Sequence, residues 1–181
     1  MYGMNRDAGR GVETNSIGQG PSTVNIIGRF LSSDDIVVGL DVPDKGRVLE
    51  QAALMAARRV GINHPCVFRA LSRREEIGST AIGHGLAIPH ARIAGISEPI
   101  VLILRTKSPI KFAAPDHQPV SILFVILVPE HAAEEHLQIL GTASEMFSER
   151  AFRDRLNATT GPAAIKCLFS EWVPVRHELR N

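Results

Sequence analysis

The sequence predicts a single α/β domain in which a mixed β-sheet is flanked by helices on both sides. Two near-continuous apolar runs, Pro99 to Arg105 and Val120 to Val128, have the length and composition of strands buried on both faces. Segments of helical periodicity lie before and after them, notably Arg47 to Val60 and His131 to Phe147. Strands mixed with helices in this order build a layered α/β architecture, and 181 residues are enough to give it a sizeable core.

Taken in order, residues 1–23 carry glycine, scattered Asn, Ser and Arg, and almost no apolar periodicity, and are expected to form a disordered tail. The domain proper is expected over 24–172. Ile26, Ile27, Phe30 and Leu31 predict a short helical turn, and Ser32 to Asp35 supply hydroxyls and carboxylates to cap another. Ile36 to Val42 is β-branched and bounded by turn formers, hence a strand, and Pro43 to Gly46 then reads as a turn. Val48, Ala52, Met55, Ala56 and Val60 give a helix over 47–60 that Gly61 stops. Pro65 to Glu75 is a second helix, with Pro65 in its first turn and Val67, Phe68 and Leu71 facing inward. Its carboxyl end carries Arg74, where a positive charge complements the helix dipole.

Lys107 to Pro119, with three prolines, reads as a loop between the two buried strands. The helix over 131–147 puts His136 on the same face as Leu140, Ala143 and Phe147. Helices over 149–156 and 162–172, broken at Gly161-Pro162, complete the domain, and 173–181 is expected to be a polar tail.

Composition narrows the function. A net charge of +1, from 20 basic and 19 acidic residues, leaves no electrostatic footprint for nucleic acid. Apolar runs such as Ile122 to Val128 are too short for membrane insertion, and no arginine-rich start precedes an apolar stretch, so a cytoplasmic location is expected. Cys66 and Cys167 lack paired-ligand spacing and are expected as reduced thiols. His84, His117 and His131 fall in expected loops without the spacing of a metal site.

The most informative stretch runs from Arg74 to Arg92 and reads REEIGSTAIGHGLAIPHAR. Gly78, Gly83 and Gly85, the hydroxyls of Ser79 and Thr80, Pro89 and His90 make a shaped rim rather than a slack connector. A neutral imidazole is a nucleophile near neutral pH, arginine binds dianionic phosphate, and amides near Gly and Ser/Thr can cradle oxyanions. That combination suits phosphoryl transfer to histidine. Glu75 and Glu76, beside Arg74, read as a solvated charged cluster.

This string resembles the active-site signature of the enzyme IIA domains of the fructose/mannitol class in the bacterial phosphotransferase system, and among them most resembles the nitrogen-related enzyme IIA. The similarity extends over about residues 24–172 and takes in Pro-Ile-Lys-Phe at 109–112, Gln-Pro-Val at 118–120, Val-Pro-Glu at 128–130 and Glu-His-Leu at 135–137. The resemblance implies the mannitol-type enzyme IIA fold, with His90 as phosphoryl acceptor through Nε2. It implies that Arg74 neutralises the phosphoryl oxygens, with amides around Ser79 and Thr80 contributing, and that His136 is a second active-site histidine. Arg92 reads equally as a site residue and as a solvated loop arginine. The implied donor is the phosphohistidine of an HPr-like phosphocarrier protein, with no cofactor and no metal, and the onward partners are regulatory target proteins or a IIB domain. The expected function is that of a regulatory phosphocarrier. The alternatives are a sugar-specific IIA subunit that passes phosphate to a IIB domain, and a binding module that is never phosphorylated. Two departures from the family's common pattern stand out: His84 where many relatives have asparagine, and Ala91 where many have glycine.

Overall fold

The computed structural model describes residues 25–174. The tail expected over 1–23 and most of that over 173–181 lie outside the described residues. The strands are β1 (Ile36–Leu40), β2 (Ala81–Gly83), β3 (Leu86–Ala87), β4 (His90–Ile93), β5 (Ile100–Ile110) and β6 (Val120–Pro129). The helices are α1 (Ile26–Phe30), α2 (Lys45–Val60), α3 (His64–Ile77), α4 (Ala133–Ser148), α5 (Arg150–Ala158) and α6 (Pro162–Ser170), with a 3₁₀ turn at Ser33–Asp35.

All six strands form one sheet in the order β1-β5-β6-β3-β2, with β4 also paired to β6. The sheet is mixed: β1 runs parallel to β5, β5 antiparallel to β6, and β3 and β4 both parallel to β6. Both faces of β5 and β6 are covered, which explains their unbroken apolar sequence. Val101, Ile103, Phe124 and Ile126 face a core built with α1, α4, α5 and α6. Leu102, Leu104, Leu123, Val125 and Leu127 face the opposite core, closed by α2 and α3.

The first core is organised by aromatic rings. Phe169 contacts Phe124, Phe147 and Phe152 at centroid separations of 5.5, 6.1 and 5.1 Å. The side chain of Asn25 closes the start of the domain onto its end by donating to the carbonyls of Phe169 and Trp172 at 2.6 and 3.0 Å.

Several expected boundaries move. Lys45 and Gly46 belong to α2 rather than to a turn, because Asp44 caps the helix by accepting from the Arg47 amide. Strand β5 continues to Ile110 through residues expected as loop; Pro109 is tolerated there because β1 ends opposite Thr106 and leaves that edge without a partner strand. The rim between α3 and β5 is itself partly sheet, holding β2, β3 and β4.

Strands β3 and β4 lie end to end along one edge of β6, with Leu86 opposite Ile122 and His90 opposite Ile126. Pro89 sits at the interruption. It has no amide hydrogen to give the ladder, and its carbonyl accepts from the Ile126 amide at 2.9 Å. The next residue, His90, therefore starts β4 from a fixed backbone.

Truncating Phe169 to alanine leaves a cavity bordered by three other rings. The Phe169→Ala variant is expected to lose about 3–5 kcal/mol of stability, read from the midpoint of a denaturant unfolding curve.

Candidate functional site

Three elements converge on the imidazole of His90. Helix α3 packs on β4, with Val67, Leu71, Ala91 and Ile93 in one buried cluster, and this packing brings the last turn of α3 over the start of β4. Residues 70, 73, 74 and 77 share a helix face at spacings of three, four and seven. Ala70, Arg73, Arg74 and Ile77 accordingly all line one depression of about 410 Å³. On β4, side chains alternate: Ala91 and Ile93 are largely buried, while His90 and Arg92 share the face turned to the depression. After β6 the chain turns at Pro129 and enters α4, whose first turn supplies His136 to the same depression.

The His90 ring is held at both nitrogens. Nδ1 lies 2.9 Å from the Ile88 carbonyl, and a carbonyl can only accept, so Nδ1 carries the proton. Nε2 then presents its lone pair, to which the Arg74 Nε–H donates at 3.0 Å. A second Arg74 nitrogen donates to the Gly78 carbonyl at 2.9 Å, tying the guanidinium to the end of its own helix. The neutral tautomer with a free pair at Nε2 is the one a nucleophilic imidazole needs.

Electrostatics keep that tautomer neutral. Burial pushes the His90 pKa below its ordinary value and the Arg74 charge pushes it further, outweighing the opposing pull of the Ile88 carbonyl and the Glu75 charge. The His136 ring packs edge-on at a centroid distance of 5.4 Å from that of His90. Its pKa is lowered too, by burial first and then by His90 and Arg92. Its Nδ1 is buried and has no hydrogen-bond partner among the described residues, so the proton of the neutral ring is cheaper to hold on Nε2.

The structure brings Arg74, His90 and His136 together, and it adds two residues the sequence reading left aside or undecided. Arg92 lines the depression, with a 3.4 Å contact to the Glu130 carbonyl. Arg73 was missed, although its spacing from Ala70 and Ile77 already puts it on the Arg74 face. None of the three arginines forms an ion pair among the described residues. Three guanidiniums beside two neutral imidazoles make a site for a dianion.

Two expectations need correction. Ser79 and Thr80 do not line the depression. The Ser79 hydroxyl donates to the Phe112 carbonyl, while the Thr80 amide and hydroxyl both donate to Glu75 Oε2, at 2.9 and 2.6 Å. Glu75 is not part of a solvated cluster: it is buried, and Lys45 Nζ approaches its other carboxylate oxygen at 3.0 Å. Only Glu76 is exposed.

His84, His117 and His131 are exposed, and the described residues gather no group of three metal-ligating side chains. His84 has a φ of 55°, in the left-handed region that asparagine adopts more readily than most residues. Its amide donates to Asp116 at 2.7 Å, which holds the β2–β3 turn. Ala91 is buried within β4, at a position that makes no demand for glycine.

A protein with this mixed sheet, and with an arginine-held histidine at the start of a short edge strand, matches one family over most of its length. Residues 29–172 fit the domain described as phosphoenolpyruvate-dependent sugar phosphotransferase system, EIIA 2, and the chain belongs to that family. Within it, the chain is similar to nitrogen regulatory proteins: it is 43% identical to one from Pseudomonas aeruginosa over 138 residues, spanning 76% of this chain and 90% of the relative. The crystal structure of the nitrogen regulatory protein IIA-Ntr from Neisseria meningitidis superposes with a TM-score of 0.76 at 37% identity, covering 80% of this chain and 99% of that one. The mannitol IIA of Escherichia coli shares the fold alone, with a TM-score of 0.61 at 17% identity over 77% of this chain and 98% of that one.

Both imidazoles titrate below the value they have in an unfolded chain, so between the two pKa values the unfolded state binds more protons than the folded one. Stability therefore rises with pH across that window and is lost as pH falls from about 6.5 through the lowered values. A series of thermal melts should show this loss in the wild type and a smaller one in His90→Ala. Replacing Arg74 by alanine is expected to move the His90 imidazole titration upward, as followed by NMR.

Proposed function

We propose that this protein is a cytoplasmic phosphocarrier of the nitrogen-related phosphotransferase system, accepting a phosphoryl group on His90 Nε2 from the phosphohistidine of an HPr-like carrier and acting in regulation. The observation that carries the reading is the Arg74–His90 contact, which presents an unprotonated Nε2 beside a guanidinium in an open depression. In the transfer, the Nε2 lone pair forms the bond to phosphorus as the P–N bond to the donor ring breaks, and that bond's electron pair returns to the donor nitrogen. The proton on Nδ1 stays shared with the Ile88 carbonyl throughout.

Arg74 has two positions to serve. In the resting site it covers the lone pair, so it must shift onto an equatorial phosphoryl oxygen as the donor arrives, exchanging one hydrogen bond for a charge-assisted one. His136, with its proton on Nε2, donates to another oxygen. Arg73 and Arg92 add positive potential at the rim. No cofactor enters this scheme, because positioning and charge neutralisation are what phosphoryl transfer asks of a protein.

The site's openness favours a protein donor. Ile77 in the depression and Leu137 beside His136 are 83% and 69% exposed, apolar contacts that a docked carrier would bury. The regulatory role is supported by similarity to the nitrogen regulatory proteins. Passage of phosphate to a sugar-specific IIB domain has less support: the chain is 36% identical over 104 residues to the fructose-specific EIIA component of Haloferax volcanii, a shorter and lower match than the nitrogen regulatory protein of Pseudomonas aeruginosa, and the mannitol protein shares the fold alone.

Incubation with phosphoenolpyruvate, enzyme I and an HPr-like carrier at alkaline pH should add one phosphate by intact-mass spectrometry, and His90→Ala should abolish it. Arg74→Ala should slow uptake by about 10²- to 10³-fold, and His136→Ala by roughly 10- to 100-fold. Phosphate on the His90→Ala variant, or none on the wild type, would defeat the reading. Efficient onward transfer to a IIB domain would replace regulation by sugar uptake.

A further inference from the structure

Arg74 meets His90 only if the end of α3 and the start of β4 keep a fixed register, and the two are separated by a stretch of chain holding glycines at 78, 83 and 85. The residue that spans this gap is Glu75, next to Arg74 in sequence but turned to the protein interior. Its carboxylate is buried, yet all of its described partners are donors. Lys45 Nζ, from the first turn of α2, meets Oε1 at 3.0 Å, and the Thr80 amide and hydroxyl meet Oε2 at 2.9 and 2.6 Å. Lys45 is itself seated over the ring of buried Phe112 at 5.1 Å, and the Phe112 carbonyl accepts from Ser79.

From Thr80 the connection continues to the reacting ring. The Thr80 carbonyl accepts from the Ile88 amide at 2.9 Å, and the Ile88 carbonyl accepts the Nδ1 proton of His90 at 2.9 Å. Glu75 therefore stands at the junction of two routes to one imidazole. Through its own helix turn it fixes Arg74, the partner of Nε2. Through Thr80 and Ile88 it fixes the carbonyl that partners Nδ1.

A buried carboxylate so near a phosphate site is otherwise a liability, because it repels the incoming dianion. Three donors, one of them charged, offset that cost, and the interior-facing position keeps the carboxylate out of the depression lining.

We propose that Glu75 is a positioning residue for the phosphoryl-transfer site: with Lys45 and Thr80 it clamps the end of α3 to the strand segment before His90, and so sets Arg74 and the Ile88 carbonyl on opposite nitrogens of one ring. The proposal deepens the phosphocarrier reading, and its rate readout rests on that reading, whereas its NMR readout needs no donor.

The test measures the tautomer and titration of the His90 imidazole by ¹⁵N NMR on the unphosphorylated full chain, and single-turnover phosphate uptake, in Glu75→Ala, Glu75→Gln, Thr80→Val, Arg74→Ala and the Arg74→Ala/Glu75→Ala pair. A clamp predicts that Glu75→Ala mixes the tautomers of His90, because Arg74 and the Ile88 carbonyl lose their places on the two ring nitrogens. Loss of the Glu75 charge alone would lower the His90 titration point and leave the proton on Nδ1, so the tautomer separates positioning from direct electrostatics.

Uptake should fall about a hundredfold in Glu75→Ala, and the Arg74→Ala/Glu75→Ala pair should lose clearly less than the product of the two single losses, since one of the two routes from Glu75 runs through Arg74. Glu75→Gln, which keeps an acceptor for Thr80, should recover at least about tenfold of the loss. If Glu75→Ala does not fold, Thr80→Val, which removes one arm of the clamp with little change of shape, should still mix the His90 tautomers. A single Nδ1-protonated tautomer of His90 in the folded variants overturns the proposal, as do rate losses that multiply in the double variant. Failure of wild-type uptake would remove the phosphocarrier reading while the NMR result still decides the clamp.

Discussion

The structure turns on one imidazole held from two sides. A histidine free in a loop samples both tautomers and titrates near neutrality. Here the Ile88 carbonyl takes the proton of Nδ1 and the Arg74 guanidinium sits on the Nε2 pair. Both partners have to arrive from different elements, so the chemistry imposes a tertiary requirement: α3 must pack on β4, and β4 must start at a fixed distance from β3. The buried cluster that holds Val67 and Leu71 of α3 with Ala91 and Ile93 of β4 meets the first requirement. The broken ladder at Pro89 meets the second.

Such a site needs a rigid floor under an open surface. The floor is β6, whose residues 122–128 are at most 3% exposed and which pairs with β3, β4 and β5. Burying both faces of that strand leaves its edge as the place where short, irregular segments can be added without loss of the core. His90 sits on such a segment, directly opposite Ile126. The geometry at His90 is thus borrowed from the most buried strand while the imidazole stays open to the depression.

Much of this was legible in the residues. The runs at 99–105 and 120–128 announced strands buried on both faces, because only such strands can be apolar without alternation. The face shared by His136, Ala143 and Phe147 follows from helical spacing, and Ala143 and Phe147 are indeed buried under it. What was not legible depended on distant partners. Ser79 and Thr80 look like phosphate ligands in any glycine-rich string, and only the approach of Phe112 and the inward turn of Glu75 show them otherwise engaged. Glu75 read as surface because its compensating charge, Lys45, lies thirty residues away. Strands of two to four residues carry too few side chains to establish a period, which hid β2, β3 and β4. Arg73 is a different case, since the spacing that placed it on the site was present in the sequence and went unused.

The central claim is that Nε2, and not Nδ1, is the reactive nitrogen of His90. The most direct test is NMR of the phosphorylated protein with ¹⁵N-labelled histidine, in which coupling between phosphorus and a ring nitrogen reports which atom bears the phosphate. Coupling to Nε2 of His90, with Nδ1 still protonated toward the Ile88 carbonyl, is the result the geometry predicts. Coupling to Nδ1, or to a nitrogen of His136, would contradict it.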